Sequence, residues 1–353
     1  MMPLFPEGTQ PVIAGPCSAE SRDQVLNTAA SLQSLGVGIF RAGLWKPRTH
    51  PGCFEGVGAA GLEWLLEARR ATGMKICTEV ASPAHVRACL DAGVDMVWIG
   101  ARTTSNPFQV QEIAGALRGS GIPVLVKNPS GQDIGLWSGA VERLQSCGVE
   151  DIALVLRGFA SMTEKKYRNA PMWQVVSEMR MRFPGMPVLC DPSHMAGSRA
   201  YVAELSRSAM DIGLDGLMVE VHCCPGEALS DSAQQLTPGE FGSMMRNLSV
   251  RSRDCDDESY RSSMAELRTR IDEIDSDILS SLASRMEVSR RIGECKRAHN
   301  ISILQSSRWE TVLAKCCEDA SGLGLDPAFV SRIFNAIHDA SVAEQNKILS
   351  SDD

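Results

Sequence analysis

Side chains that can bind a divalent metal follow two short apolar segments in the second half of the chain. His194 ends the turn 191–194, which comes directly after the apolar segment 186–189, and Glu220 ends the segment that starts at Gly216. Asp231 follows shortly afterwards. An imidazole and two carboxylates at the ends of consecutive strands suit a divalent metal better than a hydrophobic core. Each residue alone could be a hydrogen-bonded strand terminus, but the set favours a metal site.

Basic side chains recur at or just after the ends of other apolar segments. These residues are Arg41, Lys46, Arg48, Arg102, Lys127 and Arg157. Any one of them could be a solvated loop charge. If the segment ends converge, the cations share one opening in a chain whose formal net charge is −8. Clustered Arg and Lys side chains bind small phosphorylated or carboxylated substrates, so we expect this set to line a substrate-binding mouth.

An alternation of short strands and amphipathic helices must position these side chains. The predicted strands are 11–15, 37–41, 75–79, 96–100, 123–127, 152–157, 187–191 and 216–220. Eight such units match a closed parallel (β/α)8 TIM barrel, which typically takes ~250 residues. A doubly wound open sheet is the alternative, but no Gly-x-Gly-x-x-Gly turn follows the first strand. We assign residues 1–248 to the barrel domain.

Closure of the barrel adds a thiol to the predicted metal site. Cys17 ends the first strand, and closure places that strand beside the last one. Cys17 can then meet His194, Glu220 and Asp231. One thiolate, one imidazole and two carboxylates form a mixed site suited to Mn, Fe, Co or Zn. A site for Mg or Ca, built from oxygen ligands alone, would need neither Cys17 nor His194.

Composition excludes several classes of protein. The chain has 353 residues, 44% of them hydrophobic and 22% charged, which is typical of a soluble globular enzyme of one to three domains. No apolar run reaches the ~18 residues needed to span a membrane, and the N-terminus lacks the layout of a signal peptide. The negative net charge argues against nucleic-acid binding. The 12 cysteines include no Cys-x-x-Cys pair and indicate free thiols in the cytoplasm.

The last third of the chain changes character. Residues 249–262 are polar and charged, which predicts a flexible linker. From Ser263 an apolar stripe has helical spacing, through Leu267, Ile271, Ile274, Ile278, Leu282 and Met286. This helix, of about 35 residues and ~50 Å, is too long to be covered by the two shorter helices predicted at 305–321 and 327–349. We expect residues 263–353 to form a small all-helical domain that dimerises by intertwining, which makes the protein a homodimer or a higher homo-oligomer.

Charged and polar side chains on these helices can be grouped by geometry. Arg285 and Lys296 are eleven residues apart, about three helical turns, and so share a face. Arg268 falls on a different face, so it would serve the partner subunit's pocket rather than its own. Ser341 and Gln345 are four residues apart and are neighbours on the last helix. Ordinary surface charges would give the same periodicity.

The barrel sequence resembles the class I 3-deoxy-D-arabino-heptulosonate 7-phosphate (DAHP) synthases, in the subgroup shared with the 3-deoxyoctulosonate 8-phosphate synthases. The matching stretches are 15–18, 41–49, 99–102, 126–127, 156–158, 191–194 and 219–222. The Lys-Pro-Arg-Thr segment 46–49 favours the heptulosonate enzymes. His50 departs from the Ser of many relatives.

The resemblance implies an aldol-like condensation of phosphoenolpyruvate with erythrose 4-phosphate, assisted by a divalent metal. The implied metal ligands are Cys17, His194, Glu220 and Asp231. The residues implied to bind phosphoenolpyruvate are Arg102, Lys127 and Arg157, with Lys46 next to its reacting carbons. Arg48 and Thr49 are implied to bind erythrose 4-phosphate. The alternative within this class is an octulosonate synthase that uses arabinose 5-phosphate.

The helical tail is similar to the all-helical chorismate mutases, in the stretches 267–275, 282–285, 292–296, Arg308 and 337–345. That similarity implies the rearrangement of chorismate to prephenate. Arg285, Arg308 and the partner's Arg268 would bind the two carboxylates, and Lys296 and Gln345 would hydrogen-bond the ether oxygen. Trp309 replaces a substrate-binding Glu found in some members.

Two hypotheses of different classes therefore stand for the tail. In the first, the chain is a bifunctional enzyme of aromatic amino acid biosynthesis, with Ser341 among its mutase substrate-binding residues. In the second, the tail is a binding module that senses chorismate or prephenate and slows the barrel. Both roles can coexist, because a ligand that binds two conformations unequally shifts their populations.

Overall fold

The computed structural model describes residues 5, 10–47, 52–249, 255–304 and 306–350, without the side chains of residues 306 and 307. The chain forms two compact units, Met1–Arg253 and Asp254–Asp353. None of the helices within the described ranges is both long enough and apolar enough to cross a membrane.

The first unit is a closed barrel of eight parallel strands in sequential order. The strands are β1 Val12–Gly15, β2 Ile39–Arg41, β3 Lys75–Val80, β4 Met96–Ile99, β5 Val124–Lys127, β6 Ile152–Leu156, β7 Val188–Cys190 and β8 Gly216–Glu220. Closure pairs β1 with β8, with Gly15 opposite Glu220. The predicted (β/α)8 fold is confirmed, and the open-sheet alternative is wrong.

Helices follow the strands, and the longer ones cover the outside of the barrel. They are α1 Arg22–Gln33, α2 Ala60–Thr72, α3 Pro83–Ala92, α4 Ala101–Thr104, α5 Pro107–Leu117, α6 Ile134–Ser146, α7 Gln174–Arg182, α8 Pro192–Ala196, α9 Val202–Ile212 and α10 Pro238–Arg246. Several begin at a side-chain cap, as where Ser21 accepts a hydrogen bond from the Gln24 amide. The main hydrophobic core lies between these helices and the outer face of the strands.

Two chemically different layers of inward-facing side chains fill the inside of the barrel. A separate apolar cluster fills its centre, and every strand contributes to it, through Ile13, Ile39, Cys77, Trp98, Leu125, Val155, Leu189 and Met218. Because side chains alternate between the two faces of a strand, the next inward position lies two residues further on. Those positions are Gly15, Arg41, Glu79, Gly100, Lys127, Arg157, Asp191 and Glu220. The barrel therefore changes from apolar to charged within one alternation, at its C-terminal end.

Within its described residues, the second unit consists of three helices, α11 Glu258–Ala298, α12 Ser306–Gly322 and α13 Pro327–Leu349, with α13 packed against both others. Helix α11 begins at Glu258, earlier than the predicted Ser263, because the Asp257 side chain caps it by accepting from the Ser259 and Tyr260 amides. The part of the expected linker from Glu258 to residue 262 is thus helical.

The predicted apolar stripe of α11 is largely uncovered within this chain. Leu267, Ile271, Ile274 and Ile278 are between 45% and 59% exposed. Large apolar side chains in a row at helical spacing are seldom left in water, so this surface calls for a covering partner.

Candidate active sites

The charged positions at the end of the barrel form paired interactions across its interior. Arg41 Nη2 lies 3.2 Å from Glu220 Oε1, and Lys127 Nζ lies 2.6 Å from Asp191 Oδ2. All four side chains are almost completely buried. Buried charges persist only when they are paired and hydrogen-bonded, so the layer carries cations and carboxylates in balance.

Three potential metal ligands lie together at this end of the barrel. Ligand atoms of Cys17, Glu220 and Asp231 are all within 4.8 Å of one another, and Cys17 Sγ is 3.2 Å from Asp231 Oδ2. Cys17 reaches them because β1 pairs with β8. His194 is not part of this triplet, but its Nε2 lies 3.6 Å from Glu220 Oε1. The structure thus brings all four predicted ligands to one edge of the barrel, and the triplet is a possible metal site.

The orientation of His194 fits a metal ligand. Its Nδ1 is 2.8 Å from Asp191 Oδ2, and its backbone amide donates to Asp191 Oδ1. A carboxylate on one ring nitrogen leaves the other for a metal, an arrangement common around protein metal sites. Asp191 caps the short helix α8, so the same carboxylate sets both the turn and the imidazole. The mixed sulfur, nitrogen and oxygen donors fit Mn, Fe, Co or Zn.

Burial and nearby charges shift the pKa values of these donors. Burial raises the pKa of the Cys17 thiol to about 12, and the Glu220 carboxylate adds to the increase. Burial lowers the pKa of His194 despite the opposing effect of Asp191, which favours the neutral imidazole that a metal requires. Burial alone would raise the pKa of Asp231, but His194 and Lys46 hold it well below its usual range.

Predicted substrate-binding cations surround the donor cluster. The residues lining the mouth include Arg41, Lys46, Arg102, Lys127, Arg157, Arg168, His194 and Asp231. Lys46 Nζ is 2.8 Å from Cys17 Sγ. Burial lowers the pKa of Arg157 to about 10, with Asp191 opposing this shift and Arg168 and Arg102 adding to it. Arg48, Thr49 and His50 lie outside the described residues.

Arg41 shows most directly that this mouth suits an anion. Its guanidinium is 4.7 Å from the Trp98 ring centroid and donates to Glu220 and to the Cys17 carbonyl oxygen. Its Nε and Nη1 are buried and have no hydrogen-bond partner within the described part of the chain. Buried donors without a partner are costly, so they favour an anionic group from outside the chain.

Several residues of this site were not among the sequence-based candidates. Asp191, Arg168, Asn169 and Gln234 contact the predicted residues directly. Asp191 has a sequence signal, because it begins the turn that ends at His194. The other three lie in loops without a strand end to mark them, and no pattern in the sequence distinguishes them.

The helical unit contains its own pocket, with a volume of about 360 Å³. Its lining includes Arg285, Lys296, Arg308, Ser341 and Gln345, which were predicted from different helices. Arg285 Nη1 donates to Ser341 Oγ at 2.6 Å, and Gln345 Nε2 donates to Ser289 Oγ at 3.1 Å. Pockets of this size take small ligands, and these cations and donors suit a carboxylated one.

Two further features of the helical pocket concern Arg268 and Trp309. Arg268 is exposed and is not among the lining residues, in keeping with its different helical face. Trp309 stacks on His338, with ring centroids 4.0 Å apart and an interplanar angle of 12°. Both rings line the pocket and form one wall of it.

Comparisons with known proteins assign both units to families. The DAHP synthetase I family matches residues 7–253, and the chorismate mutase type II family matches residues 267–346. The phospho-2-dehydro-3-deoxyheptonate aldolase of Thermotoga maritima is 38% identical over 225 residues, which are 64% of this chain and 64% of that protein. The 2-dehydro-3-deoxyphosphooctonate aldolase of Syntrophotalea carbinolica is 34% identical over 255 residues, covering 65% of this chain and 86% of that one.

Solved structures agree with this assignment. A crystal structure of the Thermotoga maritima DAHP synthase superposes with a TM-score of 0.62 at 35% identity, covering 68% of each chain. A truncated form of that synthase gives a TM-score of 0.59 at 32% identity, covering 68% of this chain and 85% of the other. The chain thus belongs to the DAHP synthetase I family and carries a chorismate mutase type II domain at its C-terminal end.

Proposed function

We propose that the barrel condenses phosphoenolpyruvate with erythrose 4-phosphate to DAHP and phosphate. The observation that carries the proposal is the joint placement of a Cys–Glu–Asp donor cluster and a set of buried cations in one mouth. Donor atoms alone would suit many metalloenzymes, and cations alone would suit many phosphate-binding sites. Their combination suits two phosphorylated substrates that react beside a metal.

In this proposal each part of the mouth has a separate role. Arg102, Lys127 and Arg157 bind phosphoenolpyruvate, and Arg41 supplies its unpaired donors to the same anion. Arg48 and Thr49 bind the phosphate of erythrose 4-phosphate. Cys17, His194, Glu220 and Asp231 would hold a divalent ion, which would supply a Lewis acid that orients and polarises the aldehyde oxygen.

The reaction forms one carbon–carbon bond and one carbon–oxygen bond, and it breaks the carbon–oxygen bond to phosphate. The methylene carbon of phosphoenolpyruvate bonds to the aldehyde carbon, and water adds at the enol carbon and gives one proton to the former aldehyde oxygen. Phosphate then leaves the enol carbon with the second water proton, and the oxygen from water becomes the ketone. In this proposal Lys46 lies beside the reacting carbons. Burial lowers its pKa, but Cys17, Glu220 and Glu79 together leave the pKa above its usual value, so Lys46 stays protonated and can stabilise the developing negative charge.

The choice of aldose distinguishes this proposal from octulosonate synthesis. The test uses the full chain, stripped of metal and reloaded with Mn, Fe, Co or Zn one at a time. Consumption of phosphoenolpyruvate is measured with erythrose 4-phosphate and with arabinose 5-phosphate. We expect turnover with the four-carbon sugar only and none before reloading. Turnover that survives complete chelation would remove the role of the metal, and preference for the five-carbon sugar would make the barrel an octulosonate synthase.

We further propose that the helical unit rearranges chorismate to prephenate. Arg285 and Arg308 bind carboxylates, Ser341 supports Arg285 as a substrate-binding group, and Lys296 and Gln345 hydrogen-bond the ether oxygen as negative charge develops there. This reaction is pericyclic and needs neither a nucleophile nor a metal. The measurement is the loss of chorismate absorbance with the metal-free full chain, where activity should persist.

A symmetric dimer completes this second site. Helix α11 exposes its apolar stripe, and Arg268 lies on a face that does not line its own pocket. A second copy packed on the stripe would cover it and would bring the partner subunit's Arg268 to the pocket. The tail acts also as a sensor if prephenate changes the rate of the barrel. Unchanged synthase turnover with added prephenate would remove sensing, and rapid turnover of chorismate would exclude a sensor without catalysis.

The state of the cysteines supports a reducing compartment, for which we propose the cytoplasm. All twelve cysteines are free thiols in this structure. Cys17 must also stay reduced to serve as a ligand.

A further inference from the structure

The loop between β6 and α7 brings two adjacent residues, Arg168 and Asn169, into contact with the donor cluster and with the substrate-binding cations of the barrel mouth. Neither residue ends a strand, and neither belongs to the predicted ligands or substrate-binding cations. The Arg168 amide donates to the Ala196 carbonyl oxygen, and the Asn169 amide donates to that of Met195. The pair is therefore anchored by its backbone to the turn that carries His194.

Arg168 connects the two carboxylates of the donor cluster through Gln234. Arg168 Nη1 lies 3.1 Å from Asp231 Oδ1 and 3.1 Å from Gln234 Oε1. Gln234 is buried, and its Nε2 donates to Glu220 Oε2 at 2.7 Å. One oxygen of each carboxylate, Asp231 Oδ1 and Glu220 Oε2, therefore takes part in this bridge. The other oxygens face the cluster, where Asp231 Oδ2 meets Cys17 and Glu220 Oε1 meets His194.

Asn169 makes the corresponding connection between the substrate cations and the histidine turn. Its Oδ1 accepts from Arg157 Nη1 at 3.0 Å, and its Nδ2 donates to the His194 carbonyl oxygen at 2.7 Å. The Asn169 side chain is buried, and its amide acts both as a hydrogen-bond acceptor and as a donor. It therefore holds the guanidinium of Arg157 at a fixed distance from the turn that carries a metal ligand.

Two glycines make room for this pair. A Cβ at Gly197, whose φ is +66°, would lie 2.5 Å from Arg168 Cβ. A Cβ at Gly158, whose φ is +77°, would lie 2.9 Å from Asn169 Cβ. Both glycines adopt a left-handed backbone and lie against the pair, so the adjoining turns accommodate it closely.

We propose that Arg168 and Asn169 are positioning residues of the barrel reaction. Arg168, with Gln234, orients the carboxylates of Asp231 and Glu220 toward the bound ion, and Asn169 fixes Arg157 relative to His194. The inference rests on the proposed condensation for its meaning. Its test uses Mn(II) binding as well as turnover, so that the two can fail separately.

The sign of the change in metal affinity separates positioning from simple charge. Removing a cation near a metal site reduces electrostatic repulsion and, by that effect alone, tightens binding of Mn(II). Arg168 is 49% exposed, so screening by water weakens this repulsion. Loss of an outer partner of a metal ligand weakens binding, typically by 10–100-fold. Positioning therefore predicts weaker binding, and repulsion predicts tighter binding.

The experiment measures Mn(II) binding to the metal-stripped full chain by titration calorimetry. We expect Arg168→Met to weaken Mn(II) binding about tenfold and Arg168→Lys, which keeps a charged donor, to weaken it less. The matched control is Arg199→Met, because Arg199 donates to the Ser232 carbonyl oxygen in the same loop as Asp231 without touching a carboxylate of the cluster. Affinity of Arg168→Met within twofold of the wild type, or above it, overturns the role of Arg168.

A second arm tests Asn169 through the substrate. Asn169→Ala should raise KM for phosphoenolpyruvate about tenfold and change KM for erythrose 4-phosphate much less, because a contact of a buried Arg is lost. Should this variant fail to fold, Asn169→Ser gives the same comparison with a smaller disturbance. Equal changes in both KM values, or none, overturn the role of Asn169. If the wild type shows no condensation, the proposed function fails, while the Mn(II) titrations still decide the role of Arg168.

Discussion

At the scale of single residues, the barrel site is built from the inward-facing position that follows the apolar cluster on each strand, at the C-terminal end of the barrel. The last such positions carry three cations and three carboxylates, namely Arg41, Lys127, Arg157, Glu79, Asp191 and Glu220. Their balance makes the burial of so many charges tolerable. Removing one member leaves its partner buried and unpaired, which is more costly than the loss of a surface ion pair.

Gly100 provides a test of how tightly this charged layer is packed. A Cβ at Gly100 would lie 2.1 Å from Glu79 Oε1, so Gly100→Ala must displace that carboxylate or the short helix that carries Arg102. We expect a loss of about 10²-fold in kcat/KM for phosphoenolpyruvate, the cost of a displacement of about 1 Å at a reacting site. The control is Gly115→Ala within α5, where nothing lies within 4 Å of the added methyl group. Equal activity of the two variants would contradict the close packing of Glu79.

Gln345 provides the corresponding test in the helical pocket. The side chain is buried, its Nε2 is held by Ser289, and its Oε1 has no partner among the described residues. Gln345→Leu keeps the shape but removes the amide, and we expect the mutase kcat to fall by about 10²–10³. Glu344→Gln, one position earlier, should leave it near the wild-type value. A Gln345→Leu enzyme with the wild-type rate would show that the amide has no part in the reaction.

At the scale of secondary-structure elements, α10 shows how a helix end stabilises the barrel and how pH affects it. Thr237 Oγ1 accepts from the Glu240 amide, and Glu240 Oε2 accepts from the Thr237 amide at 2.7 Å, which forms a capping box. The hydrogen bond from the Thr237 amide lowers the pKa of Glu240. The carboxylate therefore contributes stability above its unfolded pKa of about 4.3, and this contribution is lost as pH falls toward the folded pKa.

Glu240→Gln should accordingly destabilise the chain in a pH-dependent way. We expect a loss of about 0.3–1 kcal/mol in the free energy of unfolding at pH 7, the usual contribution of a carboxylate in a first helical turn. The difference from the wild type should shrink as pH is lowered below about 4. Chemical denaturation across this range provides the measurement, with Glu112→Gln in the middle of α5 as the control. A loss of the same size at pH 3 and pH 7 would show that the charge is not responsible.

At the scale of the whole molecule, the uncovered stripe of α11 links assembly to the second activity. Ile271→Glu together with Ile278→Glu places charges in the proposed contact with a second copy. We expect analytical ultracentrifugation to show dissociation through the helical unit, and mutase activity to fall because the partner's Arg268 is lost. Ser276→Glu is the matched control, because Ser276 lies on the opposite side of the same helix. Full mutase activity in a dissociated double variant would exclude a shared site.

The sequence by itself determined the order and type of the elements and most of the cationic side chains that line the two pockets. Strand and helix periodicities depend on local alternation between apolar and polar residues, which is a property of the sequence itself. The barrel follows from the number of strand–helix units, and closure alone brings Cys17 to Glu220 and Asp231. The face shared by Arg285 and Lys296 likewise follows from helical geometry, and both residues line one pocket.

Only the tertiary structure decided which loop residues contact these groups. Arg168, Asn169 and Gln234 lie between regular elements, where no periodicity relates position in the chain to position in space. Asp191 was visible in the sequence, but its contacts with both Lys127 and His194 were not. The start of α11 at Glu258 depended on a cap at Asp257 within a segment whose composition indicates a linker. A side chain on a strand or helix is placed by the repeat of that element, whereas a side chain in a loop is placed by what packs around it.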